Sequence, residues 1–353
     1  MLKSVITGTG AFIPETIQQN ADFAKHAFFD EKGNALNDTE TVIQKFRKIT
    51  GIEERRYASQ FINTSDMAAA AGKEAILDSG CDPESIDQIV VAHNFGDLSY
   101  GSLQSCSVPS LASKVKHQLG IARPECIAYD VLVGCPGWIH SVIQSHAWFL
   151  AGMAKKVLLI GAETLSRILD PADRDSMIFA DGAGACMLEA KESGNSGILS
   201  TCALTHALGE LDYIGMGKSY NVSEDDRHVY LKMYGRKVYE YALKHVPAAM
   251  KLCLDRASVN LAAVSKILIH QANEKMDEEI VTRLYSSCAL PVPTGILPMS
   301  IQWLGNSSVA TVPTLLHLIR HGKLTGHSVA PNDIILFASV GGGMNINAVC
   351  YRV

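Results

Sequence analysis

Residues 130–152 read DVLVGCPGWIHSVIQSHAWFLAG, an apolar run that stops at a glycine and gives way to a helical pattern. Val131, Leu132 and Val133 follow one another without a polar break, the pattern of a strand buried on both faces. Pro136 suits the first turn of a helix, where a missing backbone N–H costs nothing and φ is already set. From Trp138 onward, Ile139, Val142, Ile143, Ala147 and Leu150 recur at helical spacing. Cys135 stands at the junction, at or just before the helix N-terminus. Free N–H groups and the positive end of the helix dipole favour a thiolate there and predict a lowered thiol pKa. The competing reading of Cys135 is a small buried hydrophobe.

The same alternation recurs outward in both directions. SVITGTG (4–10), DQIVVAHN (87–94), KKVLLIGAE (155–163) and GACMLEA (184–190) read as strands, as do GILSTCAL (197–204), KILIHQAN (266–273), DIILFASVGGG (333–343) and INAVCYRV (346–353). Helical spacing covers 65–79, 108–119, 235–255, 276–286 and 309–321. This predicts an α/β protein with helix-covered sheets. There is also an internal echo. A helix, SGCDPESI and DQIVVAHN in the first half resemble a helix, ASVNLAAV and SKILIHQAN in the second; KKVLLIGAE has its counterpart in NDIILFASVGGG. The joint falls in the polar stretch KESGNSG, dividing the chain into 1–190 and 197–353. SYNVSEDDRH (219–228) reads as a surface loop.

Composition narrows the class. With 353 residues, 47% hydrophobic and 19% charged, the chain can bury a sizeable core. A net charge of -5 gives no electrostatic reason to expect nucleic acid or an anionic membrane as partner. Nine cysteines include no CxxC pair, and His140, His146, His206, His317 and His321 lack ligand spacing, so no metal site is expected. An odd cysteine count without a framework fits reduced thiols. MLKSVITGTGAFIPE lacks the form of a signal peptide, and no apolar run is long enough to suggest a membrane span. A soluble cytoplasmic protein is expected.

Three sites in the second half could serve Cys135. His270 closes the apolar run KILI, at the strand end where α/β sheets place functional groups. Asn306 lies in WLGNSSVATVPTLL, after a glycine and before a new helix. SVGGGMN (339–345) follows the strand IILFA and can point backbone N–H groups at an oxygen, Gly342 among them. Taken singly these are a satisfied core histidine, a helix cap and a tight turn. Taken together they can run acyl transfer through a thioester. Cys135 attacks, N–H groups near Cys135 and Gly342 hold the oxyanion, and His270 and Asn306 donate to an enolate.

On ITGTGAFIP, TGIEERR, TSDMA, VGCPGW, LDPADRDSMIFADGAGACML, HQAN, GNSSVATVP and VGGGMNINAVCYRV, in that order, the chain resembles the β-ketoacyl-[acyl-carrier-protein] synthase III family of thiolase-like condensing enzymes. The resemblance spans essentially the whole chain. It implies a five-layer αβαβα fold of two pseudo-repeated halves, a homodimer, and no metal or redox cofactor. Coenzyme A and acyl carrier protein carry the substrates. An acyl group loads onto Cys135; malonyl thioester then decarboxylates with His270 and Asn306 stabilising the enolate, which attacks the acyl-enzyme. Arg174, Arg236 and Asn273 fall where the family contacts its substrate carrier, and Lys275 where it keeps a basic residue for the carrier protein. An acyltransferase on the same fold, with His270 as base toward an alcohol or amine, is the alternative.

Two departures refine this expectation. A tryptophan and an arginine that bacterial initiators place before TGI are Lys45 and Ile49 here, removing an indole stack on adenine and favouring donors carried by protein. Val108 aligns with a phenylalanine that narrows the pocket in acetyl-specific members, and Trp138 lies beside the nucleophile. Both are expected at the acyl pocket, with a primer larger than acetyl in fatty-acid or polyketide-type synthesis.

Overall fold

The computed structural model describes residues 2–36, 38–192, 194–223 and 227–353. Strands β1 (Lys3–Phe12), β2 (Gln88–Ala92), β3 (Ile127–Val131), β4 (Lys156–Thr164) and β5 (Asp181–Lys191) form one sheet, ordered β1-β5-β4-β2-β3. A second sheet is ordered β6-β9-β8-β7, from β6 (Gly197–Thr205), β7 (Val264–Ile269), β8 (Ile334–Gly341) and β9 (Asn345–Arg352). The two match strand for strand. In the first, β2 and β4 are parallel, while β4–β5 and β5–β1 are antiparallel. In the second, β7 and β8 are parallel, while β8–β9 and β9–β6 are antiparallel. The echo between KKVLLIGAE and NDIILFASVGGG is thus one of topology. Among the described residues, only β3 has no mate in the other sheet.

Helices complete five layers: α1 (Thr39–Thr50), α2 (Thr64–Ser79), α3 (Leu111–Gln118), α4 (Gly137–Leu150), α5 (Gly235–Ala257), α6 (Glu274–Ser287) and α7 (Thr311–Arg320). Strand side chains alternate between faces, so each sheet, covered twice, reads as a continuous apolar run. Val157 and Leu159 of β4 face a central core holding Trp138 and Phe149 of α4 and Leu315 of α7. Leu158 and Ile160 face Met67 and Ala71 of α2 and Val115 of α3. Phe337 of β8 joins the central core, while Leu336 faces an outer one with Val246 of α5 and Ile280 of α6. The order is α2/α3, sheet, α4/α7, sheet, α5/α6. Around one end, α1, two short hairpins and loops pack on Phe23, Phe46, Leu165 and Phe179.

Two boundaries differ from the sequence reading. The run Val131–Val133 is not a doubly buried strand: β3 stops at Val131 and Leu132 is 64% exposed. β3 is a sheet edge, and an apolar run does not distinguish an edge from a centre. The helix expected from Val108 begins at Leu111, because Ser110 caps it by accepting from the Ser113 N–H. In the expected surface loop, Ser219 and Tyr220 hydrogen-bond Asp170, and residues 224–226 lie outside the described ones. Among the described residues, no helix is long and apolar enough to cross a membrane.

Candidate active site

Beyond Val131 the chain turns through Gly134, at φ 68, and enters α4 with Pro136 as the residue before its first turn. The turn closes with Gly137 N–H donating to the Gly134 carbonyl at 2.9 Å. It presses against the glycine run that follows β8. A Cβ on Gly341 would lie 2.5 Å from the Cys135 nitrogen, and one on Gly134 would lie 2.7 Å from the Gly342 nitrogen. Only glycines let these two backbones meet so closely.

His270 continues β7, its N–H donating to the Ala338 carbonyl at 2.9 Å. Asn306 is tied by its backbone to the segment before β5: its N–H donates to Ile178 and its carbonyl accepts from Ala180. Its side-chain Oδ1 accepts from the Ser308 N–H at 2.8 Å, which leaves the amide nitrogen to donate elsewhere. Cys135, His270, Asn306 and Gly342 all line one cavity of about 290 Å³. Its other walls are largely apolar, among them Phe95, Leu165, Phe179, Ile214, Leu231 and Met233. Cys135 comes from the first sheet's half of the chain, and His270 and Asn306 come from the second.

Burial sets the protonation states. It pushes the Cys135 thiol up to about 11, with a hydrogen bond from the Ser308 side chain opposing it. This corrects the expectation of a lowered thiol pKa: desolvation by the surrounding protein outweighs the helix end. Burial likewise pushes the His270 imidazole down to about 4, a backbone hydrogen bond to Ser308 opposing. At neutral pH the resting pair is a thiol and a neutral imidazole.

The remaining sequence-predicted residues divide. Trp138 is buried in the central core, edge-on to Phe337 at 6.0 Å, and does not line the cavity. Helical spacing turns it inward from the first turn of α4. Val108 is 85% exposed and does not line its own chain's cavity either. Asn273 caps α6, its side chain accepting from the Met276 N–H at 3.1 Å, so that Ala272 and Met276 reach the cavity in its place. Arg174, Arg236 and Lys275 are exposed; Arg236 and Lys275 lie close in sequence to the cavity residues Val238 and Met276. Lys45 and Ile49 are exposed on α1. Asp181 is buried, accepting from the Ser166 and Ala58 N–H groups.

Sequence reasoning passed over Ser308, Asn94 and Glu163. Asn94 and Ser308 line the cavity, and Glu163 is buried behind them. Glu163 closes the apolar run VLLIGAE, the same strand-end signal that singled out His270.

The chain matches two family models: 3-oxoacyl-[acyl-carrier-protein (ACP)] synthase III over residues 129–207, and the C-terminal part of the same over residues 254–353. It is 32% identical over 357 residues to the β-ketoacyl-[acyl-carrier-protein] synthase III of Roseobacter denitrificans, covering 99% of each chain. Among solved structures it is similar to 3-oxoacyl-[acyl-carrier-protein] synthase III from Aquifex aeolicus, at 30% identity and a TM-score of 0.80 over 99% of this chain and 100% of that one. The synthase from Thermus thermophilus compares at 27% identity and a TM-score of 0.81, with 99% of each chain covered.

Proposed function

The chain belongs to the 3-oxoacyl-[acyl-carrier-protein] synthase III family, and from that premise we propose that it condenses an acyl thioester with malonyl-acyl carrier protein through an acyl-Cys135 intermediate. The observation that carries this is the convergence of Cys135, His270, Asn306 and Gly342 on one largely apolar cavity. In the first stage the Cys135 sulfur bonds to the acyl carbonyl carbon and the bond to the carrier sulfur breaks. The thiol proton passes by way of solvent to the departing sulfur. Backbone N–H groups at Cys135 and Gly342 hold the transient oxyanion. In the second stage the bond to carbon dioxide breaks and its electron pair forms an enolate, whose oxygen accepts from His270 and the Asn306 amide. The enolate carbon attacks the acyl carbonyl; Cys135 leaves as thiolate and takes a proton from solvent.

A neutral imidazole suits a donor to an enolate and is a weak base toward an alcohol or amine, which disfavours simple acyl transfer. The apolar walls support a primer larger than acetyl. Exposed Arg174, Arg236 and Lys275 supply positive charge for a carrier's phosphate or an acidic carrier surface.

The homodimer is proposed at β3. Its free edge carries Ile127, 54% exposed, and continues into Leu132. Asp130 of the same strand accepts from the Leu111 and Ala112 N–H groups, which holds Val108 near that edge. A second copy paired along β3 would cover Val108 and bring it toward the partner's pocket.

Incubation with an acyl donor should leave an acyl mass on the Cys135 peptide, and malonyl-carrier protein should remove it with release of carbon dioxide. Asn306→Ala should still be acylated yet lose decarboxylation by about 10²-fold or more. Acylation without any condensation would move the assignment to simple acyl transfer.

A further inference from the structure

Ser308 stands among all three candidate groups: its N–H donates to the Asn306 carboxamide oxygen at 2.8 Å, and with Cys135 and His270 it lines the one cavity. It holds this place at φ 53, a left-handed conformation that a serine rarely adopts and that its neighbours sustain here. The direction of the Ser308 hydroxyl is set from behind. The Asn94 amide nitrogen has two hydrogens: one goes to Glu163 Oε1, and the other to Ser308 Oγ at 3.1 Å. Because Ser308 Oγ accepts from Asn94, its own hydrogen is left for the sulfur.

We propose that Glu163 and Asn94 are positioning residues that lock the Ser308 hydroxyl as a donor to the Cys135 sulfur, so that Ser308 stabilises the thiolate as it forms. This rests on Cys135 being the nucleophile. Glu163 takes the Asn94 hydrogen on one oxygen while its carboxyl group stays protonated and uncharged. It is buried, accepts from the Asn94 side chain, and is held well above the usual carboxylate range by desolvation. Were it ionised, its charge would oppose the thiolate, since Glu163 already raises the thiol. The titratable groups facing this cluster are His270 from the end of β7 and Asp181 from the start of β5, which adds to the pressure on Glu163 to stay protonated.

The test is the rate at which iodoacetamide alkylates Cys135 between pH 7 and 9, read on its own peptide by mass spectrometry, with circular dichroism to confirm folding. Below its pKa a thiol reacts through its thiolate fraction, so one unit of pKa is a tenfold change in rate. Ser308→Ala and Asn94→Leu should each slow alkylation about tenfold at fixed pH. Glu163→Leu should follow them, while Glu163→Gln, which keeps the acceptor and carries no charge, should restore most of the lost rate. Alkylation of Ser308→Ala and Asn94→Leu at the parent rate would overturn the proposal, as would a Glu163→Gln variant no faster than Glu163→Leu. If Glu163→Leu does not fold, Ser308→Ala decides together with Glu163→Gln, which must then stay within a few-fold of the parent. Should the parent's Cys135 alkylate normally but take no acyl group, the proposed condensation fails while this arrangement stands.

Discussion

At neutral pH the Cys135 thiol, pushed to about 11, and the His270 imidazole, pushed to about 4, face one cavity without a charge between them. Reactivity therefore rests on the small thiolate fraction, which grows tenfold per pH unit up to the thiol's own pKa. The rate of Cys135 acylation by a small thioester should climb through pH 7, 8 and 9 without levelling near 8.5, where an unburied cysteine would plateau. A plateau there would show a thiol in contact with water. Another buried acid bears on stability. Asp277 in α6 is fully enclosed, neither carboxyl oxygen has a hydrogen-bond partner among the described residues, and desolvation holds its pKa well above 3.8. The folded chain thus keeps a proton that the unfolded chain releases near 3.8. The native state loses ground to this group as pH rises from there toward the folded pKa. Asp277→Asn should raise the melting temperature at pH 7, corresponding to about 1–3 kcal/mol, with the gain vanishing near pH 4. Thermal scans at the two pH values check this. Cys135, His270 and Asn306 were legible in the sequence because each stands at a strand end or a turn before a helix. Ser308 was not, since its placement arises from a left-handed φ; Glu163 carried the strand-end signal, but its link through Asn94 to Ser308 joins segments 69 to 214 residues apart and leaves no mark in the sequence.

The glycine run after β8 acts as an element rather than as single residues. Gly341 is extended at φ -170, which any residue adopts, so its requirement is purely one of space. A methyl there meets the backbone of Cys135 at 2.5 Å, and that turn has nowhere to retreat. Gly341→Ala should cut Cys135 acylation by about 10²-fold or more by displacing the nucleophile, while Gly209→Ala, with open space around it and no positive φ, should match the parent. Acylation kinetics on the two variants distinguish local displacement from a general glycine effect. Strands and helices were largely readable from apolar period alone. What failed was facing: the run at Val131–Val133 named a strand but hid its edge, and proximity in sequence to Cys135 suggested a pocket role for Trp138 that helix rotation forbids.

For the whole molecule, the repeated strand order was visible as an echo in the sequence, and the layered cores follow from it. How copies of the chain meet was not legible, because an exposed Ile127 and a buried one look alike in a string of letters. The proposed edge-to-edge dimer predicts that Ile127→Lys combined with Leu132→Lys shifts the protein from dimer to monomer in sedimentation velocity. A parent sedimenting as a monomer at micromolar concentration would refute the pairing outright.

The unmatched strand β3 has a last implication. Two sheets built to one plan could in principle trade duties, yet Cys135 lies in the turn that follows β3, the one strand among the described residues for which the other sheet holds no equivalent. In the proposed reaction the asymmetry of labour follows the strand count: one half offers the attacking atom, and the other hosts whatever charge that attack creates.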